Sequence, residues 1–199
     1  STTILVAQTP ASKSLAEALG EKGKAAFAGS KYDSAIYYFT KAIHLDPTVF
    51  KYFHNRGLAL YQKSNVNQQQ LSNERLDSAV RDFTKALSLN PDFWKSYWIR
   101  GQTYMLYYTR PTYPKLELAI ADFTKALELE KNNYTLLVSR GDAYTKDPYQ
   151  YYDEAIADYT KALQISSIDP YVYMQRAFMY YVKSDFNTSI ADYKSALSL

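Results

Sequence analysis

Residues able to do acid–base or metal chemistry are few outside the carboxylates, which are plentiful but fall on repeat positions. The only histidines are His44 and His54. Ten residues and Pro47 separate them, and no aspartate or glutamate lies three or four residues from either, where one helix face would bring it to a shared metal. The absence of cysteine excludes disulfides and thiolate metal sites. There is no Gly-Lys-Ser/Thr phosphate loop, no His-Glu-x-x-His and no nucleophile elbow. The charged residues instead recur. Arg56, Arg100, Arg140 and Arg176 form one series, and Asp82, Asp122, Asp158 and Asp192 form another. The plain reading is a ladder of arginine–aspartate pairs between packed helices, in which each exposed pair contributes only about 0–1 kcal/mol. An arginine row for acidic ligands is the weaker reading, because each arginine has an aspartate to neutralise it. These residues point away from an enzyme and call for no cofactor and no metal. The chemistry left is recognition.

The elements that position these residues repeat. Small residues recur at Gly23, Gly57, Gly101, Gly141 and Ala177, each later one preceded by the arginine. A second series runs in step at Ala35, Ala79, Ala119, Ala155 and Ser189. The step from the second series to the next member of the first is always 22 residues. The other step varies through 12, 22, 18, 14 and 12. The chain is therefore five helix pairs, and every length change falls in the turn inside a pair. Apolar residues spaced by three and four, such as Ala79, Phe83 and Ala86, mark each second helix as amphipathic.

The second helices are close copies: A-V-R-D-F-T-K-A-L over 79–87, A-I-A-D-F-T-K-A-L over 119–127 and A-I-A-D-Y-T-K-A-L over 155–163. The uninterrupted unit is 34 residues, and each first helix carries an apolar–small–aromatic pattern such as Tyr97, Gly101 and Tyr104. With Pro47 and Pro91 closing the first two units, the chain resembles tetratricopeptide repeat proteins. It departs from the pattern at Lys131 and Ser167, where proline is expected. The resemblance implies an all-α fold, a right-handed α-α superhelical solenoid of antiparallel helix pairs. It would span 14–199, with repeats at 16–49, 50–93, 94–133, 134–169 and 170–199 behind an extended segment, 1–13. Gly29 fits the first turn.

Composition agrees. The chain has 199 residues, 47% hydrophobic, with a net charge of +3 and a mean hydropathy of -0.40. No apolar run reaches the roughly 18 residues needed to span a bilayer. The mild charge does not fit a dedicated nucleic-acid or membrane-surface binder. The compartment expected is the cytoplasm. A start at Ser1 rather than Met is compatible with a segment removed upstream.

In the family the first helices line the concave surface, which implies an inward stripe at i, i+3, i+7 and i+10. The stripe takes Glu17, Gly20, Lys24 and Phe27, then Lys51, His54, Leu58 and Tyr61, then Lys95, Trp98, Gln102 and Met105. Thr135, Val138, Asp142 and Thr145 follow, and Tyr171, Met174, Phe178 and Tyr181 end it. Lys24, Lys51, His54 and Lys95 make a basic floor around Tyr61, Trp98 and Met105, suited to a peptide with acidic and apolar groups. Chaperone-binding members clamp a carboxylate with five residues on three first helices. Asn55 and Lys95 match that set. Gly20, Lys24 and Ile99 do not, so chaperone tails are not the expected ligand.

Three insertions lie within pairs, at 64–75, 109–117 and 147–153, and emerge along one edge. The first is polar and reads as a tolerated loop, since lengthening a surface loop costs little. The tyrosines of the other two, Tyr113, Tyr149, Tyr151 and Tyr152, make a second candidate surface. The leading expectation is a non-enzymatic scaffold that binds a protein segment in its groove. The alternative is a structural subunit that forms homo-oligomers through the solenoid ends or the looped edge. Because Leu199 falls inside the last helix without a polar cap, that end is expected to be an interface or a cut within a longer protein.

Overall fold

The computed structural model describes residues 9–66, 73–107 and 115–199. They fall in two compact units, 1–103 and 104–199. The described residues hold ten helices and no strand. In the N-terminal unit these are α1 (Pro10–Ala28), α2 (Tyr32–Leu45), α3 (Phe50–Val66), α4 (Asn73–Leu89) and α5 (Trp94–Met105), whose last two residues belong to the second unit. The C-terminal unit holds α6 (Leu116–Leu129), α7 (Tyr134–Tyr144), α8 (Pro148–Ile165), α9 (Pro170–Val182) and α10 (Phe186–Leu197). Within the first unit α1 packs on α2, α2 on α3 and α3 on α4; within the second, α6 on α7, α7 on α8, α8 on α9 and α9 on α10.

The helices start where polar side chains catch their free amides. Thr9 accepts from the Ser12 amide, Asn133 from Leu136, Asp169 from Tyr171 and Asp185 from Thr188. Pro10 and Pro170 sit in first turns, where a missing N–H costs nothing. The first helix therefore starts at Pro10, and 10–13, expected within an extended segment, is helical. Gly29 lies in the first turn as expected, as the C-cap of α1, but it is not the left-handed residue there. Gly29 has a φ of -84, and Ser30 beside it takes the left-handed conformation, with a φ of 56. Ser184, the equivalent residue in the other 12-residue turn, does the same at 65.

The packing is a repeated key. A Cβ on Gly57 would lie 2.8 Å from the Phe83 ring, and one on Gly141 would lie 2.7 Å from the Tyr159 ring. The small residue of a first helix thus makes room for the aromatic residue of its partner, and both rings are fully buried. Ala79, Phe83 and Ile99 make one core cluster, and Tyr159, Val172 and Met179 belong to the main one of the second unit.

The third insertion is helical, not a loop. Residues 148–153 extend the N-terminus of α8, with a break at Tyr151 (φ -125, ψ 23) that redirects the added turn. The ends of the first insertion also continue α3 and α4. Most of the second, including Tyr113, lies outside the described residues.

Candidate functional site

On the N-terminal unit, Lys51 and Lys95 are exposed on the first turns of α3 and α5. Each ammonium lies near the ring of the preceding residue, 6.0 Å from Phe50 and 5.6 Å from Trp94. Lys24 is exposed and pairs with Glu21 at 2.7 Å. Phe27, Leu58, Tyr61, Trp98 and Gln102 are half-buried, as is Met105 at the end of α5. Asn55 joins Lys24, Phe27 and Leu58 around a pocket of about 80 Å³. Gly20 is closed off, since its Cβ would meet the Tyr52 ring at 2.6 Å. The place of the first clamp lysine is thus filled by an aromatic ring.

His54 differs from the basic floor expected of it. Its Nδ1 lies 2.9 Å from Ser96 Oγ, and its ring meets Phe93 and Phe83 at 4.9 and 5.9 Å. Burial first, and then the charge of Lys95, lower its pKa from 6.5 to about 4. At neutral pH His54 is uncharged and fixes packing between α3 and α5.

On the C-terminal unit, Asp142 is not an open groove carboxylate. Its Oδ1 accepts from the Tyr159 hydroxyl at 2.8 Å and the Tyr171 hydroxyl at 2.9 Å. Burial raises its pKa, and the two phenol bonds partly offset that. The Tyr134 hydroxyl donates to Asp169 in the same region. Desolvation and these carboxylates push all three phenols up, so they stay protonated as donors. Beside this network α9 exposes Tyr171, Met174, Phe178 and Tyr181, the last at 57%. They occupy i, i+3, i+7 and i+10, a single stripe.

The tyrosines of the third insertion divide. Tyr149 is 84% exposed. Tyr151 and Tyr152 pack against the core cluster. The Tyr151 hydroxyl donates to Glu117 at 2.7 Å, which with some burial raises its pKa to about 12. Lys183 lies over the Tyr152 ring and pairs with Asp153 at 2.7 Å.

The arginine row is occupied. Arg56, Arg140 and Arg176 each make two bonds of 2.7–2.8 Å to Asp82, Asp158 and Asp192. These are not exposed pairs: the Asp158 side chain is 3% exposed. Each arginine also reaches back 16 residues to a threonine, Thr40, Thr124 or Thr160, and Arg100 reaches Thr84. The threonine of the F/Y-T-K-A motif is the second partner of these arginines, and its identical recurrence in four second helices is the sequence signal for it. Among the described residues no group of three or more His, Asp or Glu is placed to hold a metal, and no helix is long and apolar enough to cross a membrane.

No family model matches the chain, and no curated protein sequence does. Solved structures do. The chain has the fold of tetratricopeptide repeat proteins. It superposes on the MamA protein with a TM-score of 0.78 at 18% identity, covering 92% of this chain and 91% of that one. The TPR domain of Arabidopsis OM64 is 28% identical over 67% of this chain and 98% of its own, with a TM-score of 0.56. YrrB, described as a TPR protein with an unusual peptide-binding site, gives 0.74 at 15% identity over 90% and 84%. The chain is a helical repeat protein of that fold.

Proposed function

We propose that the chain is a non-catalytic scaffold that binds a protein segment along the stripe of its first helices. The carrying observation is the face of α9. Tyr171, Met174, Phe178 and Tyr181 are large, apolar and exposed in one line. Aligned exposure of this kind marks an interaction site rather than scattered surface residues. Lys51 and Lys95 supply charge on the stripe of the N-terminal unit, which also carries the half-buried Trp98 and Tyr61. A segment bound at α9 presents apolar side chains, and one bound at the lysines of the N-terminal unit presents acidic groups. The peptide-binding site named for YrrB supports this use of the fold.

Peptides selected from a random display library on the intact protein test the reading. Those that bind α9 should be rich in apolar residues, and those that bind the lysines in acidic ones. Phe178→Glu should weaken the apolar peptides, and Lys51→Glu with Lys95→Glu the acidic ones, about tenfold or more, a loss of about 1.4 kcal/mol. The lysine effect should fade as salt rises. Undiminished affinity in both variants overturns the groove reading.

The alternative, self-association, has its own observation. Ile190, Tyr193 and Leu197 of α10 are exposed, Leu197 at 88%. The equivalent Ile156, Tyr159 and Leu163 of α8 pack into the core cluster of the second unit. Light scattering over a concentration series separates the two: a mass that rises with concentration favours the structural subunit.

A further inference from the structure

Two of the chain's departures from its own repeat meet at one place. Three residues after the small residue, the later units carry Tyr104, Tyr144 and Tyr180, but the second carries Leu60. Two residues after the alanine mark, the later units carry Ala121, Ala157 and Ala191, but the second carries Arg81. In the fourth unit the Tyr144 ring is buried, with the Arg140 guanidinium 5.9 Å away. In the second unit the shorter Leu60 leaves that space open. The result is a pocket of about 270 Å³ between α2, α3 and α4, wholly inside the N-terminal unit.

The lining has two kinds of wall. Ile36 and Leu60 are apolar, and Thr40 and Ser78 bring hydroxyls. Arg56 is held by Asp82 through two bonds of 2.7 Å and reaches Thr40 at 3.1 Å. Arg81 is exposed and bonds Ser78 Oγ at 2.8 Å. Two guanidinium groups therefore face the pocket with one carboxylate. Its volume lies just below the roughly 300–1,000 Å³ of ordinary small-molecule sites, room for one substituted ring and not for a nucleotide.

We propose that this pocket binds an aromatic ring carrying an anionic group, an aryl phosphate or aryl carboxylate. The ring takes the space that Tyr144 fills in the fourth unit, between Ile36 and Leu60 and beside the Arg56 guanidinium. The anionic group meets the Arg81 guanidinium and the Thr40 hydroxyl, as charge-assisted hydrogen bonds require; the Ser78 hydroxyl, which donates to the Glu74 carbonyl at 2.8 Å, holds Arg81 in place. The site is separate from the α9 stripe and from Lys51 and Lys95.

The probe is phenyl phosphate, titrated into the full chain and followed by the methyl resonances of Ile36 and Leu60. Saturable binding with a Kd of about 1 mM or tighter is expected, with inorganic phosphate and phenol each about tenfold weaker. Leu60→Tyr and Arg81→Ala install the residues of the three later units, so both variants should fold, as circular dichroism will show. Leu60→Tyr should abolish binding by filling the pocket, and Arg81→Ala should weaken it about tenfold. Phenyl phosphate binding to Leu60→Tyr as to the wild type overturns the proposal. So does equal binding of inorganic phosphate, which would mark a surface cation, or no binding of phenyl phosphate at all. A phosphotyrosyl peptide forms the second arm. Tighter binding than phenyl phosphate assigns the group to a protein, and equal binding to a free metabolite.

Discussion

Acidification should weaken the fold through His54. In the unfolded chain this imidazole takes a proton near its ordinary value of 6.5; in the folded chain it does so only near 4. Between those values the unfolded state binds a proton that the folded state refuses. Stability is therefore fully present above 6.5, falls through the window and is lost below 4. The slope is about 1.4 kcal/mol per pH unit, so the whole window amounts to about 3 kcal/mol and pH 4.5 to about 2.5 kcal/mol. The cause is geometric. Phe83 and Phe93 surround the ring, Ser96 holds one nitrogen, and Lys95 opposes a second positive charge. Asp82 and Asp142 act with the opposite sign. Burial raises their carboxyls, so the folded state takes up protons first and gains stability as pH falls. A His54→Gln variant separates the two. Urea melts followed at 222 nm from pH 7.5 to 4.5 should show the wild type losing about 2.5 kcal/mol relative to the variant. A flat difference, or an NMR titration of His54 with a midpoint near 6.5, would refute the buried neutral imidazole.

Two further perturbations read the repeat itself. Gly141→Ala puts a methyl 2.7 Å from the Tyr159 ring, which Asp142 and the core hold in place, and should cost about 1–3 kcal/mol by overpacking; an unchanged melting temperature would contradict the close crossing. Arg140→Ala strands the buried Asp158 and should cost about 3–5 kcal/mol, with Arg140→Ala plus Asp158→Ala recovering part of the loss. Urea melts of the two singles and the double check this, and a double variant no better than Arg140→Ala would show that the carboxylate is not paired there.

Much of this protein was legible before any fold was known. Repetition displayed the helix pairs, because a small residue in one helix and an aromatic residue in its partner are two halves of one contact. The 22-residue step carried the register across every length change. The arginine–aspartate pairing was legible for the same reason. Its energy was not, because the same residues form weak surface pairs or buried bidentate ones according to what covers them. The groove positions were what the family resemblance implied, spaced by helical periodicity, but periodicity places a Cα and says nothing of what surrounds its side chain. Only tertiary packing buried His54 and withdrew it from the basic floor, committed Asp142 to Tyr159 and Tyr171, laid Tyr52 over Gly20 and folded Tyr151 and Tyr152 onto the core. The opening beside Leu60 is of the same kind: the missing tyrosine is visible in the sequence, but a missing ring becomes a pocket only where no neighbour moves in to fill it. Local pattern determined which helices form and pair. Burial, which depends on every neighbour at once, decided which of their polar groups carry charge.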